Sequence, residues 1–316
     1  MSDAAPRGVR VTAPAKLNLL LRILAREASG YHGIESLFVK LDLHDIVTVR
    51  TDVSDRSLTL HGPTVPAAGL GEAHANLAWR AAVAFAEATG WPTGFAIDLE
   101  KHIPVGGGLG GGSADAAAVL RGLNAIAPSP LAPAALLALA GTLGADVPFL
   151  VSDALLAWTW GRGDRLLPLP APTSMAVTLV AFPEGVPTGP AYAAFSALSG
   201  GTNGAPHPGA LAYPADAFAD WPSIAALAGN DFERVVPALH AGVAAWLPVV
   251  RSAAEVLRST GAPAVGGLSG SGATCFLLHG LDEGFALGWG DGEHPFGARL
   301  VSTRTASAIV APEPMF

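Results

Sequence analysis

The chain has one cysteine, Cys275, so no internal disulfide can form, which fits a reducing compartment such as the cytoplasm. Lysine is almost as scarce: only Lys16, Lys40 and Lys101 occur. With a net charge of −8 and no stripe of lysine and arginine, a nucleic-acid partner is not expected. No uncharged apolar run reaches about 18 residues without glycine or proline breaks, so no membrane span is expected. The nine histidines are scattered without metal-ligand spacing. Met1 to Arg10 lacks the apolar core of a targeting peptide and reads as a short frayed terminus.

What is present is a folding composition. Half of the 316 residues are apolar and 14% are charged. That length is enough for two domains with sizeable cores, and a boundary near residue 165 divides it into 1–165 and 166–316. Val9 to Leu24 reads as extended chain interrupted by Pro14. Ser36 to Leu43 and Ile46 to Arg50 read as strands joined by a turn at His44-Asp45, and Leu58 to His61 as a short strand. Apolar spacing predicts a helix over Asn76 to Thr89, stopped by Gly90 and Pro92. Phe95 to Lys101 alternates like a half-buried strand. Pro133 suits the first turn of a helix ending at Gly144. Leu155 to Trp160 and Ala176 to Phe182 are strand-like. Ser199 to Pro222 has the composition of a long surface excursion. Val235 to Ser259 reads as helix, and Ala264 to His279 as strand, glycine turn, then strand or helix. The order fits an α+β protein with two lobes.

The most informative segment is Pro104-Val105-Gly106-Gly107-Gly108-Leu109-Gly110-Gly111-Gly112-Ser113. A predicted strand precedes it and an alanine-rich helix follows, with Ser113 placed to cap that helix. Glycine permits positive φ and close approach to a ligand. A glycine loop opening a helix aims free N–H groups and the positive end of the helix dipole at one spot, which suits phosphate. A Walker-type loop would end in Gly-Lys-Ser/Thr, but no lysine follows Lys101. A dinucleotide fingerprint can be traced through Gly106, Gly108 and Gly111. It requires an acid about 20 residues on, and none lies between Asp115 and Asp146. A plain flexible linker fits poorly with the flanking strand and helix.

The loop closely resembles the Pro-x-Gly-Gly-Gly-Leu-Gly-Gly-Gly-Ser motif of the GHMP kinases, in the triple-glycine form of their diphosphocytidyl-methylerythritol branch. Five further segments resemble motifs of that family in the same order. They are Pro14-Ala15-Lys16-Leu17-Asn18-Leu19, Gly30-Tyr31-His32, Gly144-Ala145-Asp146-Val147-Pro148, Gly229-Asn230-Asp231-Phe232-Glu233 and Leu268-Ser269-Gly270-Ser271-Gly272. The resemblance implies the two-lobed GHMP fold, with a ribosomal-protein-S5-like first domain that binds ATP and a ferredoxin-like second domain that binds substrate. It implies phosphorylation by ATP of the 2-hydroxyl of a cytidylated methylerythritol, in the non-mevalonate route to isoprenoid precursors. A monomer or weak homodimer is expected.

Site roles follow from the same resemblance. Asp146 becomes the catalytic base, although an aspartate just past a helix end can also be a turn residue. Lys16 becomes its partner, although a lysine in an apolar strand can also snorkel to the edge. Asn18, on the same strand face, would bond the substrate polyol. Tyr31 and His32 would hold the cytidine, with Tyr192 across the cleft and Thr188 beside it. Gly270, Ser271 and Gly272 would close over the substrate. ATP would sit on Pro104, Gly106, Gly107, Gly108, Leu109, Gly110, Gly111, Gly112 and Ser113, with Lys101 and Asn76 on the adenine side. Ser113 would ligate Mg²⁺. Homoserine or mevalonate kinases, and a non-catalytic nucleotide sensor, share the motifs at superfamily level. The segment Trp158 to Asp164 stands where the family more usually has Gly-x-Gly-Glu.

Overall fold

The computed structural model describes residues 6–26, 32–198, 213–214, 216–280, 289 and 294–316. It opens with a long antiparallel pair, β1 (Gly8–Arg26) and β2 (His32–Arg50). Then come β3 (Arg56–His61), α1 (Leu77–Thr89), β4 (Phe95–Glu100), α2 (Gly111–Ile126), α3 (Pro133–Leu143) and α4 (Val147–Val151). The hairpin β5 (Leu156–Gly161) and β6 (Arg165–Leu169) leads to β7 (Ala176–Ala181), α5 (Thr188–Leu198) and α6 (Trp221–Leu227). β8 (Gly229–Asn230), α7 (Val236–Leu239), α8 (Ala241–Ser259), β9 (Ala264–Leu268), β10 (Cys275–His279), β11 (Arg299–Arg304) and β12 (Glu313–Met315) complete the order.

Two sheets result. The first runs β12-β1-β2-β4-β3, with β5 on β2, β6 on β5 and β8 parallel to β1; the second runs β11-β7-β10-β9. β1 alternates because one face is buried: Val9, Val11, Ala13, Ala15, Leu17 and Leu19 are all within 1% of fully buried. They pack beneath α2, whose Ala114, Ala117 and Val119 belong to the same core. The small residues matter here. A Cβ on Gly122 of α2 would stand 2.8 Å from Val9 and Val11, so the helix lies close on the sheet.

Pro14 interrupts β1 as expected, by a slip in its pairing with β2 between Pro14 and Lys16. Several other expectations are corrected. No turn interrupts β2 at His44-Asp45. Asp45 stays in the strand, fully buried, because its carboxylate finds donors there. Helix α2 starts at Gly111 with left-handed Gly110 (φ 75°) before it, so Ser113 lies in the first turn and is not the cap. The helix expected over Val235 to Ser259 breaks at His240, whose ring accepts the N–H of Val243 and caps α8. The C-terminal chain returns to the first sheet: Ala306 N–H bonds Lys40 O, and β12 pairs Gly8–Arg10. Most of the expected excursion Ser199 to Pro222 lies outside the described residues, as do 281–288 and 290–293 of the stretch Gly280 to Gly297. From the described part, Phe218 and Tyr213 pack on Trp158 of β5. Among the described residues no helix is long and apolar enough to cross a membrane.

Candidate active site

The slip after Pro14 sets up the site. With the ladder interrupted, the Lys16 N–H donates to Leu109 O of the glycine loop (2.9 Å). The Lys16 side chain is buried, and burial of an ammonium is costly unless it is well bonded. Here it is. Its Nζ donates to Asn18 Oδ1 (2.6 Å) and Gly108 O (2.9 Å) and stands 3.5 Å from Asp146 Oδ2. Asn18 in turn donates to Ser36 Oγ, which donates to Leu20 O. This chain fixes the amide so that its oxygen faces the ammonium.

Asp146 sits at the joint between α3 and α4 and caps neither with its side chain. Its carboxylate is partly open, 28% exposed, on the wall of a cavity of about 1000 Å³. Lys16, Asn18, Gly108, Gly110, Gly144, Thr188, Tyr192, Gly270 and Ser271 line the same cavity.

The glycine loop has left-handed backbone at Gly106, Gly108 and Gly110 (φ 72°, 76° and 75°). A left-handed residue set among right-handed ones turns successive N–H groups inward and makes an anion-binding concavity. The N-terminus of α2 adds to it. The second glycine turn locks against this loop. Thr274 N–H donates to Gly107 O and Ser269 Oγ to Gly108 O. A Cβ at Gly108 would stand 2.1 Å from Ser269 O, and one at Gly107 2.3 Å from Thr274 Oγ1. Asn230, which the sequence reading did not single out as a site residue, holds the turn from behind. Its amide donates to both Leu268 O and Gly270 O (2.8 Å each). Only its place in the Asn-Asp-Phe-Glu motif hinted at this.

Across the cavity His32 and Tyr192 stack, ring centroids 5.1 Å apart and planes 12° from parallel. His32 Nε2 lies 3.1 Å from Ser196 Oγ, and Phe232 meets Tyr192 edge-on. Burial, with Asp146 nearby, pushes the Tyr192 hydroxyl up to about 12, so it stays protonated at neutral pH. Thr188 Oγ1 is 3.1 Å from Ser271 Oγ, joining α5 to the second glycine turn. Tyr31 lies outside the described residues.

The remaining expected site residues are not on the cavity wall. Pro104, Gly106, Gly107, Leu109 and Gly272 of the two loops, and Gly111, Gly112 and Ser113 of the first turn of α2, are not among the residues that line the cavity. Asn76 caps α1 through Oδ1 and Ala78 N–H (2.9 Å). Lys101 turns inward, 3% exposed, between Asp45 and Asp115. Arg162 and Asp164, from the β5–β6 turn, do line the cavity and were not expected there. Among the described residues no cluster of three or more His, Cys, Asp or Glu could hold a metal.

Comparison with known proteins bears on the family and the fold. Residues 76–153 match the GHMP kinases N terminal domain. A 4-diphosphocytidyl-2-C-methyl-D-erythritol kinase of Paracoccus denitrificans is 42% identical over 276 residues, 85% of this chain and 86% of that one. A crystal structure of 4-(cytidine 5'-diphospho)-2C-methyl-D-erythritol kinase superposes with TM-score 0.64 at 32% identity, covering 94% of this chain and all of that one. A homoserine kinase from Cytophaga hutchinsonii shares the fold (TM-score 0.64, 99% of each chain) at only 17% identity. The chain has the α+β fold of the GHMP kinases and belongs to the 4-diphosphocytidyl-2-C-methyl-D-erythritol kinase family.

Proposed function

We infer that this chain transfers the γ-phosphoryl group of ATP to the 2-hydroxyl of 4-diphosphocytidyl-2-C-methyl-D-erythritol, a step toward isoprenoid precursors. The relatives that carry this name cover most of both chains. The observation that carries the reading within the site is the Lys16–Asp146 pair on the cavity wall beside Gly108 and Gly110.

The chemistry is positioning and charge control. Phosphoryl transfer to an alcohol needs an in-line hydroxyl, donors around the transferred group and a proton acceptor. Asp146 is assigned as the acceptor, because its carboxylate is the open acid beside the loop. Lys16, 3.5 Å from Asp146, supplies the positive charge that a Walker lysine would bring. Asn18 orients the ammonium and bonds the polyol. The N–H groups of the glycine loop hold the triphosphate, and Gly270 and Ser271 cover the substrate side. His32, Tyr192 and Tyr31 are assigned to the cytosine ring, which an aromatic surface binds by stacking.

A kinase of this family takes ATP and a small alcohol as its substrates. We assign Mg²⁺ to the triphosphate. The described residues offer it no protein-only cage, and magnesium is characteristically held by substrate phosphates with one or two protein groups. The Ser113 hydroxyl, in the first turn of α2, is the assigned protein ligand. When bound, the ion neutralises charge on the phosphates. We place ATP mainly on 1–165 and the acceptor between 166–316 and the Asn18, His32 and Asp146 side of 1–165, in a cytoplasmic monomer or weak homodimer.

ADP release over a panel of alcohols tests the reading. ADP should form with the cytidylated methylerythritol and not with homoserine or mevalonate. Turnover of either of those in its place overturns the substrate assignment. No ADP with any alcohol makes the chain a nucleotide sensor.

A further inference from the structure

An ion triad is buried behind the glycine loop, away from the cavity wall. Lys101 Nζ lies between Asp45 Oδ2 and Asp115 Oδ2, and all three side chains are 3% exposed or less. The second oxygen of Asp45 accepts the N–H groups of His102 (2.5 Å) and Ile103 (2.8 Å). The triad therefore joins β2, the chain leaving β4, and α2.

These are the two ends of the glycine loop. Ile103, immediately before Pro104, is held by Asp45. Asp115 belongs to the second turn of α2, just beyond Gly111 and Gly112. The ends also touch: a Cβ on Gly111 would lie 3.3 Å from the Ile103 side chain and 3.7 Å from Asp45 Oδ2. A loop with six glycines among Gly106 to Gly112 has many conformations open to it if its ends are free. Ligand affinity falls by the fraction of time the loop is not in the binding conformation.

We propose that the Lys101 ammonium, clamped by Asp45 and Asp115, is a positioning group that holds the triphosphate loop in its binding shape without itself touching the nucleotide. This rests on the reading of the glycine loop as the ATP site. Two facts support it beyond the geometry. The Nζ is closed off from the cavity wall, which Lys101 does not line. Burial raises Asp115 despite its lysine neighbour, and Asp115 Oδ1 has no hydrogen-bond partner. Removing the lysine would leave two buried carboxylates facing each other without a counter-charge, a state relieved by taking up a proton or by movement of the loop ends, and in either case the ionic link between β2 and α2 is gone.

The test compares Lys101→Met with the double variant Lys101→Met/Asp115→Asn, which removes one of the stranded carboxylates. Binding of a fluorescent ATP analogue is measured beside turnover and thermal melting. Lys101→Met should raise the KM for ATP about tenfold or more, with the KM for the alcohol within about twofold. In the double variant the new amide at position 115 can donate to Asp45 and rejoin α2 to β2 in place of the ammonium, so ATP-analogue affinity should recover to within about threefold of wild type. If Lys101→Met does not fold, the double variant alone decides. A folded double variant that has lost the analogue means that the ammonium touches the nucleotide, and overturns the proposal. A lowered melting temperature with both KM values unchanged means a purely structural role, and also overturns it. Wild-type protein that turns over no alcohol but binds the analogue refutes the kinase reading and leaves the binding comparison valid. Wild type that fails to bind the analogue removes the glycine-loop reading on which the proposal stands.

Discussion

Lys16 Nζ stands 3.5 Å from Asp146 Oδ2, while the same ammonium donates to Gly108 O at 2.9 Å. One buried cation thus touches both the acid assigned as base and the loop assigned to the triphosphate. Asp146→Asn should lower kcat by about 10²–10⁴ and leave the KM for ATP nearly unchanged. Steady-state kinetics with both substrates varied checks this. Unchanged kcat removes Asp146 from the chemistry.

Tyr192 presents a ring already stacked on His32 and steadied by Phe232. If that surface carries the cytosine, Tyr192→Ala should weaken the cytidylated substrate by about 5- to 150-fold, the range of about 1–3 kcal/mol per stacked base. ATP affinity should not change. Titration calorimetry with each ligand separates the two, and an equal loss for both points to general damage of the second lobe.

Gly108 combines positive φ with backbone contact. Gly108→Ala would put a methyl group 2.1 Å from Ser269 O, so one of the two glycine turns must move. ATP-analogue binding should be lost or reduced more than tenfold, from about 1–2 kcal/mol for the left-handed alanine plus the clash. Gly69→Ala is the control: Gly69 has φ 75° but open space around it. It should bind ATP like wild type.

Lys40 gives a pH prediction. It is fully buried and bonded to the carbonyls of Leu150 and Ser152. Burial, then the nearby Arg121, lowers it to about 7 from 10.5, against the pull of Asp153. Between those two values the unfolded chain binds the proton and the folded protein does not, so stability rises with pH across that window. Below pH 7 the folded state carries the full cost of a buried ammonium. Lys40→Met removes the titrating group, so its melting temperature relative to wild type should be higher at pH 6 than at pH 9. A difference that does not vary with pH refutes the account.

Much of the site was legible in the sequence because its chemistry is local. Five of the six motifs carry Lys16, Asn18, His32, Gly106 to Ser113, Asp146 and Gly270 to Gly272, each within a short run whose residue types suit one task. What was not legible depended on distant partners. Asp45 looked like a turn residue because an aspartate in an apolar run has no local justification. Its justification is Lys101 and the N–H groups of His102 and Ile103. Lys101 was placed on the adenine side by resemblance alone, and nothing near it in the chain shows that its side chain turns inward to Asp45 and Asp115. Ser113 looked like a cap because serine favours that place, but left-handed Gly110 already begins the helix.

By itself the sequence determined the α+β pattern, the glycine loop and the exclusion of a Walker lysine, while the acid and the lysine assigned to the reaction came from the resemblance of its motifs to a family. Periodicity and backbone freedom are properties of short segments, and those need no knowledge of the fold. The tertiary structure alone decided that Lys16 reaches Asp146 and Gly108 together. It also decided that the two glycine turns interlock and that the chain's last strand closes the first sheet. A buried charge is tolerated only where partners from elsewhere in the chain converge on it, and that convergence exists only once the sheets and α2 have packed.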